Sequence, residues 1–116
     1  MTYEEMEKLL KNYKATKTKV EHNKIKLETM QLEYELDGTG DKEEIEKIKL
    51  KIRLDTNTIK MIDNLLNGLT EIESKIIELF YFEKYPAWQI AEILGFTESW
   101  CFEVRKRAIK KMAAFW

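Results

Sequence analysis

Met6, Tyr13, Val20, Leu27 and Tyr34 recur every seventh residue, and this series constrains the fold more than any other feature of the chain. Leu9 and Met30 stand three places after members of the series, whereas Thr16 and Asn23 fill the same offset with polar groups. A seven-residue apolar repeat keeps one stripe of a helix against a partner, so the N-terminal segment reads as one long helix with a polar middle. At 1.5 Å per residue, about 35 residues would reach roughly 50 Å. The series stops at Asp37-Gly38-Thr39-Gly40-Asp41, where two glycines supply a turn. Asp41 is placed to cap the next helix, with Glu44 at its N3 position. Ile45, Ile48, Ile52, Ile59, Ile62, Leu66 and Leu69 then form a second stripe, interrupted only by Asp55.

A turn near Thr39 brings the two stripes together antiparallel, with facing residue numbers summing to roughly 78–79. Leu27 then faces Ile52, Val20 faces Ile59, Tyr13 faces Leu66, and Asn23 meets Asp55. A polar pair in such a seam costs stability and can pin register. Residues 1–69 are therefore expected to form a helical hairpin. Leu10, Ile25, Leu32, Leu36, Leu50, Leu54 and Leu65 fall outside the main stripes and would supply a second apolar face. An isolated hairpin leaves such a face wet, so pairing with another copy is expected. The alternative is that these residues cover a small monomeric bundle.

Composition agrees with an all-α fold, with one proline and four glycines against 44% hydrophobic and 35% charged residues. The net charge of −1 gives no chain-wide basic footprint for nucleic acid. Positive charge is local instead: Arg105 to Lys111 holds five cations and no acid. Its bland reading is compensation of a helix dipole, and its functional reading is contact with phosphates. Cys101 has no partner for an intramolecular disulfide and reads as a small buried hydrophobe. With no CxxC spacing and His22 the sole histidine, neither zinc nor another cofactor is expected. No nucleophile–base set, Gly-rich phosphate loop or paired carboxylates can be assembled, so the chain does not read as an enzyme. No apolar run approaches the length of a membrane span and no signal peptide is visible, which points to the cytoplasm.

Residues 70–116 carry the functional signal. Gly68 marks a helix end, and Thr70 with Glu73 forms a capping box. Ile72, Ile76, Leu79, Phe80 and Phe82 would give that helix its buried face. Pro86 suits the first position of the next helix, whose inward set is Trp88, Ile90, Ala91 and Leu94. Gly95 permits a sharp turn through positive φ, Phe96 is placed to plug the space between helices, and Thr97 caps the last helix. Cys101, Val104, Ala108 and Met112 form its inward line. A short helix, a turn and a long basic-ended helix make a helix-turn-helix, which presents its second helix to a DNA groove.

The pattern Leu69-Thr70-x-x-Glu73, then Ile90-Ala91-Glu92-x-Leu94-Gly95-Phe96-Thr97, then Val104-x-x-x-Ala108-x-x-x-Met112 resembles region four of bacterial sigma factors, over residues 70–116. With a charged helical segment ahead of it, the whole layout is similar to the ArpU and RinA family of phage late-gene activators. The resemblance implies a transcriptional regulator that binds double-stranded DNA, RNA polymerase or both. It places Thr97, Glu98, Ser99, Trp100, Phe102, Glu103, Arg105, Lys106 and Lys110 at the DNA, with the first two turns reading bases and Trp100 near the backbone. The reading positions depart from the family, which usually offers arginine or glutamine there. Glutamate can accept from cytosine N4 and phenylalanine can touch a thymine methyl, but glutamate repels phosphate. Trp100 and Phe102 lie off the inward line, and contact with the hairpin or a dimer mate is expected for them ahead of contact with DNA. Two other functions remain open at this point: a protein–protein adaptor without DNA activity, and a small terminase subunit for DNA packaging.

Overall fold

The computed structural model describes residues 1–116, and every element in it is helical. In chain order these are α1 (Tyr3–Lys11), α2 (Tyr13–Asp37), α3 (Lys42–Asn67), α4 (Glu71–Ile77), a π-helical turn (Glu78–Phe82), α5 (Ala87–Leu94) and α6 (Glu98–Phe115). Contacts divide the chain into two compact units, one of residues 14–60 and one combining residues 1–13 with 61–116.

The first unit is the hairpin arm of α2 and α3. Gly38, at φ 64°, closes α2 in the left-handed region, and its N–H donates to the Tyr34 carbonyl at 2.9 Å. Asp41 opens α3 by accepting the Glu43 N–H at 2.9 Å. Val20 and Ile45 are buried between the helices, and Leu27 and Ile52 line one shallow cleft, as the antiparallel register requires. The expected Asn23–Asp55 pair does not form. Asp55 turns instead to Lys51, one helical turn earlier on its own helix, at 3.4 Å. An i,i+4 lysine reaches a seam carboxylate from the solvent side, so the charge need not be matched across the hairpin. Ile25, Leu32, Leu36, Leu50 and Leu54 are exposed, which leaves the outward apolar face uncovered.

The second unit departs from the expected boundary at residue 69. The N-terminal helix is not continuous: Asn12, at φ −96° and ψ 0°, interrupts it between α1 and α2. Asparagine offers the backbone side-chain alternatives to the helical ladder and so favours such breaks. α1 packs on α6 and on the π-helical turn, and Met6 and Leu10 are wholly buried there. Leu10 thus belongs to this core and not to an outer face of the hairpin. The Tyr13 ring stacks on Phe82 at 4.5 Å between centroids, and its hydroxyl donates to Asp63. The Tyr81 hydroxyl donates to Glu7 at 2.6 Å, and Glu7 pairs with Lys11 at 3.5 Å. The Tyr81 bond holds the Glu7 carboxyl below its usual range, while burial and that same bond push the Tyr81 phenol far upward.

Because Leu10 is wholly buried and Leu36 is 80% exposed, truncation should separate them sharply. Leu10→Ala should cost about 2–5 kcal/mol in urea denaturation followed by circular dichroism, and Leu36→Ala less than about 0.5 kcal/mol at dilutions that keep the chain monomeric.

Candidate nucleic-acid interface

The candidate interface is built on the turn between α5 and α6. Pro86 holds the cap position of α5 in an extended conformation (ψ 156°), one residue earlier than the sequence suggested. Gly95 ends the helix at φ 74° and ψ 30°. The N–H groups of Gly95 and Phe96 both donate to the Ala91 carbonyl, at 2.9 and 3.0 Å. Thr97 is extended, and its hydroxyl accepts the Trp100 N–H at 3.1 Å to start α6. Three residues therefore turn the chain, with the Gly95, Phe96, Trp100 and Cys101 N–H groups satisfied locally. Ile90, Ala91, Cys101 and Val104 share a core with Ile76 and Leu79. Ala91 is small where α6 crosses. Burial pushes the Cys101 thiol up, in keeping with a packing role. The inward line of α6 is the expected Cys101, Val104, Ala108 and Met112, widened by buried Ile109 and Ala113.

Opposite that line run Ser99, Glu103, Lys106 and Lys110, all exposed, at i, i+4, i+7 and i+11. Glu98 is exposed at the first turn, and Thr97 is exposed with its hydroxyl engaged in the cap. Three aromatic expectations are corrected. Trp88 is not core but 59% exposed, because it precedes Ile90 by two residues and points about 200° around α5 from it. Phe96 does not fill the space between the helices. It is half-exposed and stacks on half-buried Trp100 at 3.8 Å, while Leu94 packs against the core in its place. Phe102 keeps an exposed edge but stacks on Phe80 at 5.9 Å within its own unit.

Arg105 follows Val104 and so lies within the inward arc of α6. Its guanidinium sits over the Phe80 ring at 4.6 Å and the Phe102 ring at 5.0 Å. It is held by aromatic faces, not presented with Lys106 and Lys110.

Sequence reasoning placed Glu73 in the capping box, which the structure contains, but missed its burial and its pairing with Arg107 and Lys111. The Glu73 side chain is wholly buried. The carboxylate accepts the Thr70 N–H at 3.0 Å, Arg107 Nε–H at 3.1 Å and Lys111 Nζ–H at 2.9 Å, and the Thr70 hydroxyl oxygen in turn accepts the Glu73 N–H at 3.3 Å. Burial opposes the charged form, but the bonds from Thr70, Lys111 and Arg107 outweigh it and hold the carboxyl down at about 2. A signal was present: Glu73 is one turn from Ile76 and Ile77, so it shares their buried face, and a buried charge needs a partner. Of the five cations from Arg105 to Lys111, three are thus engaged internally and only Lys106 and Lys110 are free of an internal partner. Stripping a partner from a buried carboxylate costs on the order of 3–5 kcal/mol, well above the roughly 1 kcal/mol of a solvated ion pair that would replace it. Acidic and basic residues are equal in number over 70–116, so the domain carries no net charge. No cluster of metal-ligating side chains is present, and no helix is long and apolar enough to cross a membrane.

Residues 65–114 match the family described as Sigma-70, region 4. No curated protein and no solved structure matches the chain. The matched stretch begins at Leu65, inside the end of α3, and contains the whole helix-turn-helix. The C-terminal domain is therefore a sigma region four-like helix-turn-helix, a DNA-binding type of domain found in transcription and not a catalytic one.

Two stability measurements check the local account. Glu73 is depressed from 4.5 to about 2 on folding, so its stabilisation is complete above pH 4.5 and is lost as pH falls toward 2. The total is about 3 kcal/mol, and Glu73→Gln should flatten that limb of the pH–stability curve. At Gly95 an added Cβ meets no atom within 4 Å, so Gly95→Ala should cost only the left-handed backbone, about 1–2 kcal/mol.

Proposed function

We propose that the chain is a DNA-binding transcriptional regulator of phage or prophage late genes. It works as a homo-oligomer whose α6 enters the major groove of promoter DNA. The carrying observation is the Gly95-Phe96-Thr97 turn, which leaves the outward stripe Ser99–Glu103–Lys106–Lys110 open along α6. Glu98, Ser99, Phe102 and Glu103 face base edges: the glutamates accept from cytosine N4 and the Phe102 edge meets a thymine methyl. Lys106 and Lys110 take phosphates. Thr97 and the Phe96–Trp100 stack lie at the sugar–phosphate margin, and Arg105 holds Phe102 in place. The late-gene assignment is supported by the layout, a charged helical arm ahead of a sigma-like domain, as in ArpU and RinA.

Few free cations make a weak monomer. Linking two modules raises the effective concentration of the second, so avidity supplies what single-site affinity lacks. The exposed apolar face of α2 and α3, with Ile25, Leu32, Leu36, Leu50 and Leu54, supports self-association through the hairpin arm.

The test is a salt titration of duplex binding. Each neutralised phosphate contributes a slope of about −0.9 in log K against log salt. The wild-type slope should be shallow, about −2 per bound domain, and Lys106→Ala and Lys110→Ala should each remove about 1. Absence of binding to promoter duplexes at low salt would refute the reading. A second reading, a protein–protein adaptor contacting RNA polymerase, is favoured by the acidic and aromatic surface of Glu98, Glu103, Trp88 and Phe96. Nuclease-resistant co-purification with polymerase subunits, together with no duplex binding, would select it.

A further inference from the structure

Lys106, Arg107, Lys110 and Lys111 line one shallow depression along the C-terminal half of α6, together with Glu103. On an isolated helix these four cations would form a single phosphate-binding ridge. The structure divides them. Arg107 and Lys111 direct Nε and Nζ onto the buried Glu73 carboxylate at 3.1 and 2.9 Å, although their side chains remain 57% and 45% exposed. Lys106 and Lys110 make no internal ion pair. Their neighbours cannot be recruited by a phosphate without leaving a carboxylate unpaired in the core, and the energies given above make that exchange unfavourable. One anion placed at the start of α4 thereby removes two of the four cations from the surface that faces DNA.

We infer that Glu73 is a specificity-determining residue: by holding Arg107 and Lys111, it caps the sequence-independent phosphate attraction of α6. This rests on the DNA-binding reading. A non-specific duplex is bound through its phosphates alone, so withholding two cations weakens every site equally. Recognition then depends more on base-edge contacts at the start of the helix. The role is one of positioning, since Glu73 itself is wholly buried and touches no ligand.

The experiment compares salt slopes and affinities on a duplex of arbitrary sequence and on heparin, using the full chain. Glu73→Gln keeps a capping-competent side chain and removes the charge. It should steepen the slope by up to about 2 and tighten arbitrary-sequence binding about tenfold at low salt. An unchanged slope, or weaker binding, overturns the inference and would mean that Glu73 orients the two cations toward phosphate. Where Glu73→Gln fails to fold, the single variants Arg107→Ala and Lys111→Ala decide, each leaving Glu73 one partner. They should leave the slope unchanged while Lys106→Ala and Lys110→Ala each lower it by about 1, and equal losses at all four positions overturn the inference. Heparin keeps the two questions apart. Failure of the wild type to bind any duplex refutes the DNA-binding reading, whereas the role of Glu73 stands or falls on whether the two pairs of cations differ on heparin.

Discussion

The Glu73 carboxylate is the interaction on which the rest of the C-terminal unit depends. Through the Thr70 N–H it closes the first turn of α4, and through Arg107 and Lys111 it reaches two successive turns of α6. Apolar packing alone would fix the distance between α4 and α6 and would tolerate some rotation of α6 about its axis, since hydrophobic contact has no direction. Charge-assisted hydrogen bonds to residues at i and i+4 do have direction. They hold one flank of α6, while Arg105, lodged over Phe80 and Phe102, holds it from within the inward arc. The outward stripe is therefore set by a polar network whose members the sequence marks as a cap and a cation run but does not join.

Legibility in the sequence follows the range of the interaction. Thr70 with Glu73, Gly95 and Thr97 were readable because caps and turns answer to backbone groups within three or four residues. The line Cys101–Val104–Ala108–Met112 was readable because helical period fixes which residues share a face. Period does not say what that face meets. Met6 and Leu10 are buried against α6 and the π-helical turn, and nothing within nine residues of sequence could have chosen that partner. The same limit explains Trp88, whose size argued for burial although its position two residues before Ile90 argued against it, and position won. For Arg105 the periodic information was sufficient, since it adjoins Val104.

Neutrality of the domain and its DNA-binding type are compatible once charges are sorted by what they touch. Counting cations along Arg105–Lys111 suggests a strong phosphate ridge, whereas the structure leaves Lys106 and Lys110 as the free pair. Glu98 and Glu103 lie ahead of them, so the helix runs from an acidic, aromatic entry to a basic end. A groove is lined by phosphates on both sides and by bases at its floor. A helix with this polarity gains from entering it only where the base contacts of its first turns outweigh the repulsion those glutamates meet. Discrimination among sequences is sharpest under that condition, because a wrong base leaves the repulsion uncompensated.

On the proposed function such a reader would be weak alone, and the arm of α2 and α3 has the property that would compensate. Ile25, Leu32, Leu36, Leu50 and Leu54 are large, apolar and exposed on a segment otherwise dense in lysine and glutamate. Leaving them wet has a cost that burial against a second copy would remove. Affinity for DNA and affinity between copies are then linked, because each bound domain raises the local concentration of the next. A domain with two free lysines and an arm with an uncovered apolar face are, on this argument, two halves of one design: weak contacts that become selective only when several are made together.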